Sequence, residues 1–219
     1  MEYFIFDTET SGLPDMKNKQ AHNPYEVIQL AGFRIDEDFN VLQVVNFYCN
    51  ISHQISEGAY NVHGIDNKQL LKLSKGKTLE DYLSEPEFSW LVNPKDIVFL
   101  AYNINFDKKM VNDSLKNNGY APINFGREVN IVPKKGSTGV YNMCLCKASK
   151  VVFNFPKYKK LTEIVEIKLP YSEERMTKYL ARFCELYKVE HSNSKFHDAL
   201  YDSQALLLLF NHYKKFFRR

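Results

Sequence analysis

Apolar and polar positions alternate with two periods along this chain. Residues 2–7 (EYFIFD) set Tyr3 and Ile5 to one side of an extended backbone and Phe4 and Phe6 to the other. All four are apolar, which predicts an interior strand covered on both faces. Residues 27–35 and 41–50 read as two more strands, joined into a hairpin by the polar turn Asp36-Glu37-Asp38-Phe39-Asn40. Residues 96–101 hold an apolar run that predicts a fourth strand, and 140–144 a fifth. Helical spacing predicts short helices at 56–62, stopped by His63-Gly64, and at 78–90 through Leu79, Tyr82 and Leu83. A longer helix is predicted at 105–118, with Phe106, Met110, Val111 and Leu115 on one side and Gly119 as its stop. Helices follow at 161–167 and 176–187, then a polar break at 191–195 (HSNSK), then a last helix at 198–217 with a dense apolar face. Residues 122–139, which include PKKGSTG, read as an irregular exposed loop. With no repeat and no low-complexity linker, one domain over 1–219 is expected: an α/β fold, a mixed sheet with helices on its faces.

Composition narrows this picture only a little. A chain of 219 residues buries enough surface to fold without a disulfide or metal staple. Aromatics make up 14% of it, which with few Gly and Pro excludes a disordered or collagen-like chain. The 29 basic and 26 acidic residues leave a net charge of +3, too mild either to demand or to exclude a nucleic-acid partner. The start carries Glu2 and Asp7 and no basic region ahead of an apolar stretch, so no export signal is expected. The longest apolar run, 205–210, falls far short of the ~20 residues that span a bilayer, so no membrane partner is expected. Cys49, Cys144, Cys146 and Cys184 include no pair at zinc-ligand spacing. Reduced, mostly buried thiols in a cytoplasmic protein are the expectation.

Three segments carry candidate chemistry. Asp7 and Glu9 are two residues apart at the end of the first strand, so both carboxylates project from one face. Acids held so close repel unless a cation lies between them, which favours a divalent metal. The same spacing at Asp36/Asp38 and Glu85/Glu87 fits solvated turns, whereas the first pair follows a doubly buried strand and leads into the sharp turn Thr10-Ser11-Gly12-Leu13-Pro14. Asp107 falls in the first turn of the helix after the fourth strand, where an acid also suits the helix dipole. His197 and Asp202, five residues apart, lie about 140° from one another on a helix and cannot share a face if both are helical. The polar break places His197 on the loop before the helix, free to turn toward Asp202, and makes Asp198 either the helix cap or an acid that favours the helix's positive end.

In order, spacing and placement the three segments resemble the DnaQ-like 3′–5′ exonucleases with a histidine base, the DEDDh family. FDTETSGL at 6–13 is similar to that family's first motif, Asn103-x-x-Phe106-Asp107 to its second, and His197-x4-Asp202 in HDALYD to its third. The tyrosine-based sister group carries Tyr four residues before the last Asp, where this chain has Asp198. Val62-His63-Gly64-Ile65 is similar to the family's VHGI turn, and the resemblance runs from Tyr3 to about Phe210. It implies a ribonuclease H-like sheet of five strands in the order 3-2-1-4-5. It implies that Asp7, Glu9, Asp107 and Asp202 bind two Mg²⁺ or Mn²⁺ ions, hard cations that prefer carboxylate and water oxygens, and that His197 takes a proton from the attacking water. Thr8, Thr10, Gly12 and Leu13, with His63, Ile65, Asn103 and Phe106, would contact the last nucleotides of single-stranded DNA or RNA at its 3′ end. The products would be 5′-nucleoside monophosphates.

The sequence departs from the family at Tyr102, where His is frequent, and at Gln29, where many members carry Glu; the segments 122–139 and 161–175 fit its pattern poorly. No catalytic group is missing, which weighs against a silent nucleic-acid-binding or polymerase-binding module. The chain ends seventeen residues after Asp202 with no linker-like tail, so a polymerase partner is not evident. A stand-alone enzyme resembling RNase T or oligoribonuclease in size is expected, and those relatives are commonly homodimers. Lys134-Lys135, the KYKK at 157–160, and Lys214-Lys215 with Arg218-Arg219 read either as a phosphate track or as solvated surface. QALLLLF at 204–210 has the wrong spacing for a sliding-clamp ligand and reads as packing. Setting aside the four acids that the resemblance assigns to metal leaves 29 basic against 22 acidic residues, a more basic body around the pocket.

Overall fold

The computed structural model describes residues 1–13, 24–190 and 196–217. Pro14, the 191–195 break and Arg218-Arg219 lie outside them. The strands are β1 (Glu2–Thr10), β2 (Val27–Ile35), β3 (Val41–Tyr48), β4 (Ile97–Ala101), β5 (Arg127–Glu128) and β6 (Val140–Cys144). They form one sheet in the order β3-β2-β1-β4-β6-β5. β2 runs antiparallel to both of its neighbours, β1 and β3, and β4, β6 and β5 run parallel to β1. The five longer strands thus take the expected 3-2-1-4-5 order, with β6 as the fifth. The sixth is a correction: within the segment read as irregular, Arg127 and Glu128 pair with Tyr141 and Asn142 at the sheet edge.

β1 is buried on both faces, as its pattern predicts. Tyr3 and Ile5 pack with Phe33, Leu100, Met143 and the last long helix, whereas Phe4 and Phe6 pack with Phe99, Met110, Val111 and Leu115. The strand runs three residues past its predicted end at Asp7, to Thr10. Glu9 pairs with Gln29 and Thr10 with Val27, so Ile28 is an extra residue in β2. This bulge sits where the two strands meet the site, and bulges re-aim side chains at such places. Gly32, opposite Phe6, permits the close approach of β1 and β2, since a Cβ there would stand 2.5 Å from the Ile5 carbonyl oxygen.

The helices are α1 (Glu57–His63), α2 (Asn67–Ser74), α3 (Leu79–Leu83), α4 (Ser89–Val92), α5 (Ile104–Asn117), α6 (Leu145–Val152), α7 (Leu161–Lys168), α8 (Glu173–Tyr187), α9 (Ala199–His212) and α10 (Lys214–Phe217). α5 covers the face of Phe4 and Phe6, and α7, α8 and α9 cover the face of Tyr3 and Ile5. The helix predicted at 78–90 is broken into α3, a 3-10 turn over Pro86–Phe88, and α4. Pro86 lacks the N–H that would continue α3. The last helix ends at His212, and Tyr213 separates it from α10. The spacing did not predict α2 or α6. All four cysteines are free; Cys49, Cys144 and Cys184 are buried and Cys146 is half-buried. Among the described residues no helix is long and apolar enough to cross a membrane.

Candidate active site

Four acids from three elements converge at the C-terminal end of β1. Asp7 and Glu9 leave that strand on the face of Tyr3 and Ile5, the face α9 covers, and α9 brings Asp202 in its first turn. Asp107 comes from α5, packed on the opposite face, and meets the others over the strand end. Its Oδ1 accepts a hydrogen bond from the Thr8 hydroxyl at 2.9 Å, both groups being buried. The acids lie close enough together that their charges shift Asp7 and Glu9. Burial, then the charges of Asp107, Asp202, Glu9 and Asp198, hold the Asp7 carboxyl well above the usual range. Glu9 is raised in the same way, by burial and then by Asp202, Asp198 and Asp107. Burial pushes Asp107 up to about 7 against the opposing bond from Thr8. Burial and Asp198 push Asp202 up to about 8, against the His197 backbone N–H that its carboxylate accepts.

His197 stands on the loop before α9, exposed, with φ at +69°. A left-handed backbone is costly for a residue with a Cβ and marks positions that surrounding structure holds in place. There a ring nitrogen of His197, a Glu9 oxygen and an Asp202 oxygen all lie within 4.8 Å of one another. Asp198, next in sequence, is the N-cap of α9, and its Oδ1 accepts from the Leu200 and Tyr201 N–H groups at 3.1 Å. Its Oδ2 accepts from Gln29 Nε2 at 3.3 Å, while Gln29 Oε1 accepts from the Ala199 N–H at 3.1 Å. Gln29 is fully buried. An amide can both donate to Asp198 and accept from the helix, which a carboxylate at this position could not do.

The donor set fits a divalent cation. Asp202 Oδ1 is a buried carboxylate oxygen with no hydrogen-bond partner. Uncompensated carboxylates at this density are costly, and cations relieve that cost where protons otherwise would. Oxygen ligands of this kind suit Mg²⁺ or Mn²⁺.

A cavity of about 400 Å³ opens beside the acids, within the usual range of small-molecule sites. Thr8, Glu9 and Thr10 form its polar side. Leu13, Tyr25, Ala59, Val62 and Phe106 give it an apolar wall. His63 completes it: Nδ1 accepts from the Ile65 N–H at 3.0 Å, and Nε2 is buried. That bond assigns the ring proton to Nε2, and burial lowers the pKa of His63 against an opposing bond to the Thr10 backbone, which keeps the ring neutral near pH 7. Of the residues expected to touch substrate, Thr8, Thr10, Gly12, Leu13, His63 and Phe106 line this cavity. Two do not. Ile65 is buried against Ile28, Tyr48 and Leu70 in a separate apolar cluster, because Gly64 at φ +75° ends α1 and turns the chain inward. Asn103 precedes α5 and is exposed, its side chain capping nothing. Tyr25, Ser56, Ala59 and Val62 were not singled out as site residues; Val62 belongs to the VHGI turn, and the others carry no sequence signal. Lys135 pairs with Glu37, and Lys214 lies over Phe39. Both sit by the β2–β3 turn, about 20 Å along β1 from the acids, so neither extends the cavity.

The family follows from the sequence as a whole, since the RNase T exonuclease model matches residues 4–210. The chain belongs to the RNase T exonuclease family. No curated protein matches it. Among solved structures, E. coli exonuclease I in complex with a dT13 oligonucleotide is similar, with a TM-score of 0.60 and 19% identity over 97% of this chain. Exonuclease X in complex with 5′ overhanging duplex DNA has a TM-score of 0.51 and 16% identity, covering 97% of this chain and 93% of its own. A full-length 3′-exonuclease has a TM-score of 0.55 and 14% identity, covering 100% of this chain and 62% of its own. This family member spans only 41% of the exonuclease I chain. What it shares with these structures is the ribonuclease H-like fold.

Proposed function

We propose that this exonuclease-family chain is, over residues 1–219, one DEDDh-type domain that removes 5′-nucleoside monophosphates from the 3′ end of single-stranded DNA or RNA. The observation that carries this reading is the convergence of Asp7, Glu9, Asp107, Asp202 and His197 beside a cavity with one apolar and one polar wall. Two divalent cations held by the four acids would stabilise charge on the attacking and leaving oxygens of a phosphodiester displacement. His197, exposed at the rim and near Glu9 and Asp202, would take the proton of the attacking water; an imidazole suits that task near neutral pH. The apolar wall of Leu13, Val62 and Phe106 would hold the terminal base by its flat face, which every base has. The Nε2–H of His63, on the cavity wall, would donate to a sugar or phosphate oxygen.

The test is digestion of a 5′-labelled oligonucleotide in Mg²⁺ or Mn²⁺. Shortening from the 3′ end that stops with chelator and in Asp7→Ala is the expected result. Absence of metal-dependent digestion of every DNA and RNA offered would overturn the proposal. Matched single-stranded DNA, RNA, duplex and dinucleotide substrates then rank the preference.

A further inference from the structure

Behind the cavity wall that carries Leu13 lies a second polar constellation, apart from the acids. His53 Nε2 is 2.7 Å from Ser11 Oγ, and His53 Nδ1 is 3.3 Å from Glu26 Oε2. Ser11 Oγ accepts from the Glu26 backbone N–H at 2.9 Å, so its own proton points to His53. With Nε2 accepting, Nδ1 carries the ring proton and donates it to Glu26. Glu26 Oε1 accepts in turn from Asn118 Nδ2 at 2.6 Å. Serine, histidine and carboxylate in this order form a nucleophilic relay in some enzymes. Here Ser11 is entirely buried and lines none of the cavity, so attack by its Oγ is closed.

What the network does is join backbone. The Ser11 N–H donates to the Glu26 carbonyl at 2.9 Å, and the Ser56 N–H donates to the Ser11 carbonyl at 2.8 Å. Asn67 holds the His53 loop from its other side, donating to the His53 carbonyl at 2.8 Å and accepting from the Ile55 N–H at 3.0 Å. Ser11, Glu26 and His53 each stand one to three residues from a residue that lines the cavity: Gly12, Tyr25 and Ser56. The fit leaves no slack, since a Cβ at Gly12 would lie 2.4 Å from the Tyr25 ring.

We propose that His53 is a positioning residue: acting through Ser11, it fixes the wall formed by residues 10–13 against Tyr25 and α1, and so sets how tightly the terminal residue of a substrate is gripped. This deepens the exonuclease reading and rests on it for the identity of the substrate. A wall held in place before binding spares the substrate the cost of ordering it. The effect therefore belongs in binding and not in the chemical step.

The full chain digesting a 5′-labelled oligonucleotide in Mg²⁺ tests this. His53→Ala is expected to raise KM about fivefold, the size of one hydrogen bond, with kcat within about twofold of the parent. His53→Gln, whose Oε1 can take the Ser11 proton, is expected to return KM to within about twofold. Ser11→Ala should raise KM as much as His53→Ala, and the double variant no further, because the two act as one unit. An unchanged KM in His53→Ala, a fall in kcat alone, or effects that multiply would each overturn the proposal. Two readouts need no activity: the ring ¹⁵N shifts of His53 should report the Nδ1–H tautomer, and amide exchange at Ser11 should quicken several-fold in His53→Ala at an unchanged unfolding midpoint. If the parent digests nothing while both hold, the exonuclease reading fails and the positioning role stands. If Ser11 exchange is the same in both proteins, the positioning role fails whatever the activity.

Discussion

Thr8 and Asp107 stand 99 residues apart in sequence and share one proton. That bond is the only opposition the Thr8 side chain offers to the burial that drives Asp107 toward neutrality. The acids of this site are held in a state that suits function and strains the fold, and the two demands separate on substitution. Asp202→Asn keeps the shape of the side chain and removes a charge that raises Asp7 and Glu9. Without metal the variant should therefore be the more stable protein, by about 1–2 kcal/mol, one pKa unit being worth about 1.4. Its metal-dependent digestion should fall by at least about a hundredfold, the scale of losing one group that stabilises transition-state charge. Denaturant unfolding in chelator and a rate assay in Mg²⁺ check the two halves; a variant both less stable and fully active would contradict them.

α9 shows what an element contributes to such a site. Its buried N-cap, Asp198, satisfies the Leu200 and Tyr201 N–H groups and anchors Gln29, and so fixes the helix end that carries Asp202 and the loop that carries His197. Asp198→Ala should cost about 2 kcal/mol, since it removes a cap and leaves buried donors unmet. Asp198→Asn, which keeps a capping oxygen, should cost less than half of that, as measured by chemical denaturation. The sequence placed Asp198 at this helix start as either a cap or an acid suited to the dipole, and the bonds to the Leu200 and Tyr201 N–H groups decide for the cap. β1 was legible because alternation with both faces apolar admits only a covered strand. Elements fixed by distant partners were not. The break in α3–α4 at Pro86 was visible in the residue itself but outweighed by the spacing of Leu79, Tyr82 and Leu83. α2 carries a legible start, Asp66 and Gln69 bonding reciprocally across its first turn, but too few apolar positions to show a period. The two-residue β5 has no pattern of its own and exists by pairing with β6. Likewise the motif residues of the site could be listed from sequence, whereas the separation of Ile65 from His63 depends on the left-handed Gly64, and the walls from Tyr25 and Ala59 depend on packing.

For the whole molecule, the acids tie stability to pH with a sign opposite to that of an ordinary salt-bridged protein. A carboxyl whose pKa is higher folded than unfolded binds protons more readily in the native state. Between the two values, rising pH removes stability. Asp107 at about 7 and Asp202 at about 8, with Asp7 and Glu9 also raised, place that loss between the ordinary carboxyl range near pH 4 and about pH 8. His63 works the other way, since burial lowers its pKa and charging it costs stability below about 6.5. The window from pH 6.5 to 8 therefore isolates the acids. Across it the ionisation of Asp202 alone removes about 2 kcal/mol, one pH unit being worth about 1.4 for a single group. For a domain of this size that lowers the unfolding midpoint by about 4–8 °C in chelator. On the proposed reading, Mg²⁺ bound by the acids would take over the role of the protons, so excess Mg²⁺ should restore the midpoint at pH 8, change it little at pH 5, and flatten the slope between them. Thermal unfolding in chelator and in Mg²⁺ across this range decides the matter. A midpoint in chelator that holds or rises from pH 6.5 to 8 would show that the four carboxyls are not crowded as the structure has them.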